Sequence, residues 1–238
     1  MAEKIVVASG KGGVGKSSCC IGIGKMLGRM GFKVLIIDGD VGLRSLDILL
    51  SVSDRTLYDW GDVIFSRCRK EDAVIKSDSV DLLSCPLSFE KEFTPEKIKE
   101  MTALYDGDYD YIIIDAPAGL DTGFELACVS ADRAIIVSTP DRVCVRSASR
   151  AADRVEKLGI HDVRLIINRF RKKSVMSRKL LNIDSVIDET YVQLIGVVPE
   201  DDNITYGKIA TGRTGASDEA FMRIAGRIRK EEIPLVIK

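Results

Sequence analysis

Gly10, Gly15, Lys16 and Ser17 stand at the spacing G-x-x-x-x-G-K-[ST], and Gly12, Gly13 and Val14 fill the interval. Those residue types suit one kind of chemistry. Glycines let a backbone close around an anion, so that successive N–H groups point at phosphate oxygens. The lysine brings positive charge to the β- and γ-phosphates, and the serine hydroxyl ligates Mg²⁺. Lys11, directly after the first glycine, is a second lysine that the minimal pattern does not require. A cation supplied to a transferring phosphoryl group by a second subunit can be worth about 10³–10⁵ in rate. A lysine used in that way makes hydrolysis depend on association. Three carboxylates complete the set. Asp115 follows the apolar run Tyr111–Ile114, where a phosphate-loop enzyme keeps an acidic residue for its metal, usually through a water. Asp38 and Asp40 follow the run 34–37. One of that pair suits the metal or its water, and the other the attacking water. Gly119, four residues after Asp115, can bring an N–H to the γ-phosphate, with Pro117 stiffening the approach.

These groups need a frame that brings them to one place. Ile5-Val6-Val7-Ala8 reads as a buried strand, and Ser18 to Met30 as a helix, so the glycine-rich segment is a turn between them. A helix N-terminus at that point adds partial positive charge. Further continuous apolar runs lie at 34–37, 111–114, 134–137, 165–167 and 193–198, with a weaker one at 80–84. Strands apolar without alternation are covered on both faces. Helices are expected at 94–104, 120–131, 142–158 and 216–231. The pattern is α/β: a doubly wound, mostly parallel sheet flanked by helices. No linker or repeat divides the chain, so residues 1–238 read as a single domain. In such sheets ligands bind beyond the carboxyl ends of the strands. Those ends carry the glycine-rich loop, Asp38–Asp40, Asp115–Gly119, Asn168-Arg169 and Pro199-Glu200-Asp201.

Thirty-five basic against 36 acidic residues give a net charge of −1, and no global field favours nucleic acid or membrane. The chain enters its first strand without a signal peptide, and no apolar stretch reaches membrane-spanning length, so it reads as cytoplasmic and soluble. The six cysteines form no C-x-x-C and, with one histidine, make no zinc cluster. They read as reduced thiols in or near the core.

The double-lysine loop, Asp38-Gly39-Asp40 and Asp115-Ala116-Pro117-Ala118-Gly119 resemble the deviant Walker A ATPases of the MinD/ParA family. Within it, Asp40-Val41-Gly42-Leu43-Arg44-Ser45-Leu46-Asp47, Tyr58-Asp59…Asp62-Val63-Ile64 and Ile195–Asp201 are similar to the MinD branch. The resemblance runs from residue 3 to about residue 225. It implies ATP/ADP and Mg²⁺ as cofactors, with slow hydrolysis until a partner protein stimulates it. It implies that Lys16 and Ser17 bind phosphate and Mg²⁺, that Ser18 lies at the α-phosphate, and that Lys11 reaches the nucleotide of a second chain in an ATP-bound homodimer. Asp40 would position water, Asp38 and Asp115 would support the metal, Asn168 would bond adenine, and Arg169, Pro199 and Glu200 would lie at the base pocket. Septum-site positioning is the implied role.

Two departures stand out. Ser147 occupies a position where MinD proteins that answer to MinE tend to carry aspartate. Residues 233–238, Ile-Pro-Leu-Val-Ile-Lys, are too short for the amphipathic membrane helix of MinD, so peripheral membrane association would need a partner or a further tail, and weak or no liposome binding is expected of these residues. The apolar face of 216–232 is expected to pack on the sheet. Two other classes compete. A DNA-partition or flagellar-placement ATPase of the same family is one, with Arg164, Arg169, Arg171, Lys172, Lys173, Arg178 and Lys179 as a modest basic cluster. An iron–sulfur carrier using Cys85 and Cys128 is the other, though neither cysteine has the glycine-rich surroundings that a cluster needs.

Overall fold

A computed structural model describes residues 1–77, 79–205, 208–210 and 215–237. In chain order the elements are β1 (Glu3–Ala8), α1 (Lys16–Arg29), β2 (Val34–Asp38), α2 (Ser45–Leu49), α3 (Trp60–Ile64), β3 (Val74–Ile75), β4 (Asp81–Leu83), α4 (Pro95–Ala103), β5 (Tyr111–Asp115), α5 (Thr122–Cys128), β6 (Arg133–Ser138), α6 (Arg142–Lys157), β7 (Asp162–Phe170), α7 (Lys172–Met176), α8 (Ile183–Thr190), β8 (Gln193–Pro199), α9 (Asp202–Thr205) and α10 (Ala216–Ile228). The strands form one eight-stranded sheet in the order β3-β4-β2-β5-β1-β6-β7-β8. Every neighbouring pair is parallel except β3 with β4.

Each expected apolar run contains a strand, and β1, β2, β5 and β6 are buried on both faces, whereas β8 starts at the exposed Gln193 and the 80–84 run gives only the short β4. Alternate residues of one strand feed two separate cores. Ile5 and Val7 point to the core under α1 and α10, whereas Val6 and Ala8 point to the core under α4, α5, α6 and α8. The apolar face of α10, with Ala220, Phe221, Ile224, Ala225 and Ile228, is buried against the sheet as expected. α10 ends at Ile228, three residues before the expected end. β7 is longer than its apolar run, so Asn168 and Arg169 lie inside the strand and not beyond its end. The register between β7 and β8 slips between Ile167 and Phe170, and Arg169 takes a left-handed φ of 52°. A bulge of this kind redirects side chains at the rim of a sheet.

The register places the chemistry. β2, β5 and β1 are adjacent, with Asp38 opposite Asp115 and Asp115 opposite Val7. The turn after β1 therefore sits beside the carboxylates at the ends of β5 and β2.

Candidate functional site: a phosphate loop over two buried carboxylates

Gly13 and Gly15 have φ of 80° and 89°, a region that side chains avoid. Gly15 is the N-cap of α1, and no side chain caps the helix. The amides of the first turn have no intrahelical acceptor in any α-helix. Here no acidic residue stands in that turn either, so the N-terminus is left to an external anion. A Cβ on Gly12 would lie 3.6 Å from the Ala118 methyl, so the Asp115–Gly119 turn faces the loop, and Gly119 has a φ of 102°. Gly10 is required by packing: a Cβ there would lie 2.1 Å from the carbonyl oxygen of Ser147 on α6.

Beneath the loop, Lys16 Nζ lies 3.1 Å from Asp115 Oδ1. Both residues are buried. Burial pulls the lysine pKa down, but the charge of Asp115 leads the contributions that outweigh it, and the net direction is up. Cys20 Sγ donates to the same oxygen at 3.4 Å. Asp115 Oδ2 is buried and, among the described residues, has no hydrogen-bond partner.

Asp38 accepts the Asp40 N–H at 2.9 Å through Oδ1, and Oδ2 lies 3.5 Å from the Leu46 N–H. Its pKa is pushed up to about 7, first by burial and then by the negative charge of Asp115. Asp40 is half-buried. Its pKa is raised chiefly by burial, against the opposing pull of Lys16. The Asp38–Asp40 segment is braced from several sides. Trp60 Nε1 donates to the Asp38 carbonyl at 2.9 Å, Cys85 Sγ to the Asp40 carbonyl at 3.2 Å, and the Gly39 N–H to the Asp115 carbonyl at 2.9 Å. Arg44 clamps the outside, bonding the Cys85 carbonyl at 2.7 Å and Asp59 Oδ2 at 2.8 Å.

A divalent cation fits this place. Two buried carboxylates stand opposite each other in register, Asp115 alone is paired with the buried ammonium of Lys16, and its Oδ2 has no partner among the described residues. Oxygen donors from carboxylate, hydroxyl and phosphate are the set that Mg²⁺ prefers. Ser17 beside Lys16 and Asp115 Oδ2 are the residues able to support it, with Asp38 behind them.

A cleft of about 230 Å³ opens on the other side of the loop. Gly15, Ser18, Asn168, Arg169, Pro199 and Glu200 line it, so the residues expected at the α-phosphate and base converge. Asn168 differs from its expected role in one respect. Its Nδ2 donates to the Val14 carbonyl at 2.8 Å and props the phosphate loop, so an adenine would be left with the second Nδ2 hydrogen and Oδ1. Glu200 pairs with Arg171 at 3.2 Å.

Lys11 is exposed, and its ammonium has no hydrogen bond or ion pair among the described residues. The basic segment is partly neutralised: Arg164 pairs with Asp162 and Arg171 with Glu200, while Lys172, Lys173, Arg178 and Lys179 are exposed. Cys85 and Cys128 are both buried, and burial pushes each thiol up to about 12. Neither lies on the surface of the chain. No helix among the described residues is long and apolar enough to cross a membrane.

Sequence reasoning assigned no bracing role to Cys20, Arg44, Trp60 or the Ser147 carbonyl. Cys20 alone carried a signal, four residues after Lys16 on one helix face.

Residues 1–209 match the ParA family model, described as NUBPL iron-transfer P-loop NTPase. The septum site-determining protein MinD of Bacillus subtilis is 35% identical over all of this chain and 92% of its own length. Among solved structures, the MinC:MinD cell division protein complex of Aquifex aeolicus superposes with a TM-score of 0.91 at 33% identity, covering 99% of both chains. MinD of Pyrococcus horikoshii complexed with Mg-ADP gives a TM-score of 0.83 at 28% identity over 98% of this chain and all of that one. With the family model spanning most of the chain and MinD relatives spanning all of it, the chain belongs to the ParA/MinD family of P-loop ATPases as a MinD-like member.

Proposed function

We propose that this chain is an ATP-dependent dimeric switch that serves septum-site placement. Lys16, Ser17 and the loop amides hold the phosphates and Mg²⁺, Asp115 and Asp38 support the metal, and Asp40 orients the attacking water. Asn168, Arg169, Pro199 and Glu200 surround the base. Lys11 completes the site of a second chain across the ATP-bound dimer. The observation that carries the reading is the exposed ammonium of Lys11, without a hydrogen bond or ion pair among the described residues, at the same edge of the sheet as several exposed apolar residues. Leu43, Ile48 and Leu87 are each 68% exposed, and Phe89 is 52% exposed. They lie on the segments that follow β2 and β4, with Ile48 on α2, and these segments are tied together by the Gly42 N–H to Pro86 carbonyl bond at 3.0 Å. An apolar rim with an exposed cation beside a nucleotide site suits closure of two chains on each other.

The relative from Aquifex aeolicus was solved with MinC. A partner of that kind, and a peripheral place at the inner face of the membrane reached through a partner, belong to the same proposal. Light scattering with a non-hydrolysable ATP analogue is the test. Wild type is expected to double in mass with the analogue and not with ADP, and Lys11→Ala to bind nucleotide yet stay monomeric. A variant that dimerises like wild type would remove Lys11 from the interface.

A further inference from the structure

We infer that Cys20 is a positioning residue for the metal-facing carboxylate: its thiol keeps Asp115 in place when Lys16 turns from that carboxylate to a nucleotide phosphate. The inference rests on the Mg-nucleotide reading above and adds a residue to it. Lys16 and Cys20 are one helical turn apart and share a face of α1. Both donate to Asp115 Oδ1, at 3.1 and 3.4 Å, and neither reaches Oδ2. The carboxylate is thereby held by one oxygen with the other left for a further partner, and a buried acceptor without one is costly.

Lys16 cannot serve two anions with full strength. Once its ammonium is drawn to a phosphate, Oδ1 would be left with no donor but the thiol, and the carboxylate would be free to rotate. A thiol is a weak donor in water. Here Cys20 is fully enclosed among apolar side chains, where no solvent competes for the bond. Its neighbour Cys19 is equally buried but, among the described residues, has no hydrogen bond. The two adjacent thiols therefore separate volume-filling from positioning.

The experiment measures Mn²⁺ affinity by electron paramagnetic resonance, in the presence of a non-hydrolysable ATP analogue, together with affinity for a fluorescent nucleotide in EDTA. Replacing outer partners of metal-bound groups typically weakens metal binding 10–100-fold. A thiol acting through a carboxylate and a water belongs at or below the low end, so Cys20→Ala is expected to weaken Mn²⁺ by about three- to tenfold. Nucleotide affinity in EDTA should stay within about twofold, Cys20→Ser should restore the metal to within about twofold, and Cys19→Ala should leave it unchanged. Unaltered Mn²⁺ affinity in Cys20→Ala, or equal losses in the Ser and Ala variants, would overturn the inference. If Cys20→Ala does not fold, Cys20→Thr and Cys20→Val give the same comparison at matched size, and equal affinities overturn it. Wild type that binds no nucleotide with or without metal would refute the underlying reading itself.

Discussion

Replacing Asp38 with asparagine is expected to stabilise the nucleotide-free protein, increasingly as pH rises. Asp38 is buried opposite Asp115, and its pKa is pushed up to about 7 by burial and then by that neighbour. Unfolded, it returns to the ordinary 3.8. The folded protein therefore binds this proton more tightly than the unfolded chain. Its stabilisation is complete below about pH 4 and is lost as pH rises through about 7. At roughly 1.4 kcal/mol per tenfold change in proton affinity, the gap is worth about 4 kcal/mol. Asparagine carries no charge at any pH and keeps an acceptor for the Asp40 N–H. It also sets a donor against the Leu46 N–H, at a cost of about 1 kcal/mol. The variant should thus be about 3 kcal/mol more stable than wild type at pH 8, and by less than about 1 kcal/mol at pH 5, where wild type has lost only part of that stabilisation. The raised pKa of Asp40 acts in the same direction, but it is present in both proteins and largely cancels in the comparison. Urea unfolding at pH 5, 6, 7 and 8 in EDTA is the assay. A stability difference that does not change with pH would refute the assignment of a protonated, charge-averse Asp38. Mg-ADP should narrow the gap at pH 8, because a divalent cation repays the buried charge that asparagine lacks.

Three further outcomes follow from the same geometry. Lys16→Ala should abolish nucleotide binding and lower stability by about 3 kcal/mol, since it strands the buried Asp115; calorimetry showing unchanged affinity would displace the loop from this role. Asp40→Ala should bind Mg-ATP and dimerise but lose hydrolysis, because a water-orienting carboxylate acts mainly in the transition state; single-turnover rates within about twofold of wild type would mean that another group orients the water. Gly10→Ala should cost about 1–3 kcal/mol and weaken nucleotide binding, as the new methyl group meets the Ser147 carbonyl; unaltered urea midpoint and affinity would show that α6 yields freely.

The strands and the phosphate loop were legible because their signals are local. Runs such as Tyr111–Ile114 are apolar at every position, which only a sheet covered on both faces requires. The short helices α2, α3 and α7 have five residues each, too few for a period to register. α3 did carry a cap signal in Asp59 and Asp62, whose side chains and backbones bond reciprocally. β3 has two residues and pairs antiparallel with β4, a contact made only by the tertiary fold. The first layer of the site could be read because its residues follow strand ends. The second layer could not. Trp60 reaches the Asp38 carbonyl across 22 residues, Arg44 reaches the Cys85 carbonyl across 41, and Asn168 reaches Val14 across 154. Asn168 shows the limit well. Its position at the cleft was foreseeable, whereas the bond that makes it a prop for the loop depends on how close the bulge in β7 comes to the loop.

The bracing of Asp40 gives a physical route by which association and hydrolysis can be coupled. Asp40 and Leu43 belong to one short segment, joined by the Leu43 N–H to Asp40 carbonyl bond at 3.1 Å. That segment is fixed at one end by Asp38 and Trp60 and at the other by Arg44, which bonds the Cys85 carbonyl and Asp59. Cys85 closes the circuit by donating to the Asp40 carbonyl. A force on the exposed Leu43 or Leu87 therefore bears on the backbone that holds the Asp40 carboxylate. On the proposed reading, a second chain that covers this apolar rim would set the position of the water-orienting group as it brings in Lys11. The two contributions to the transition state would then be tuned by one event, so a lone chain would bind nucleotide with its Asp40 backbone braced while lacking the second chain's cation. On the same reading, hydrolysis by the monomer would be slow without any inhibitory element.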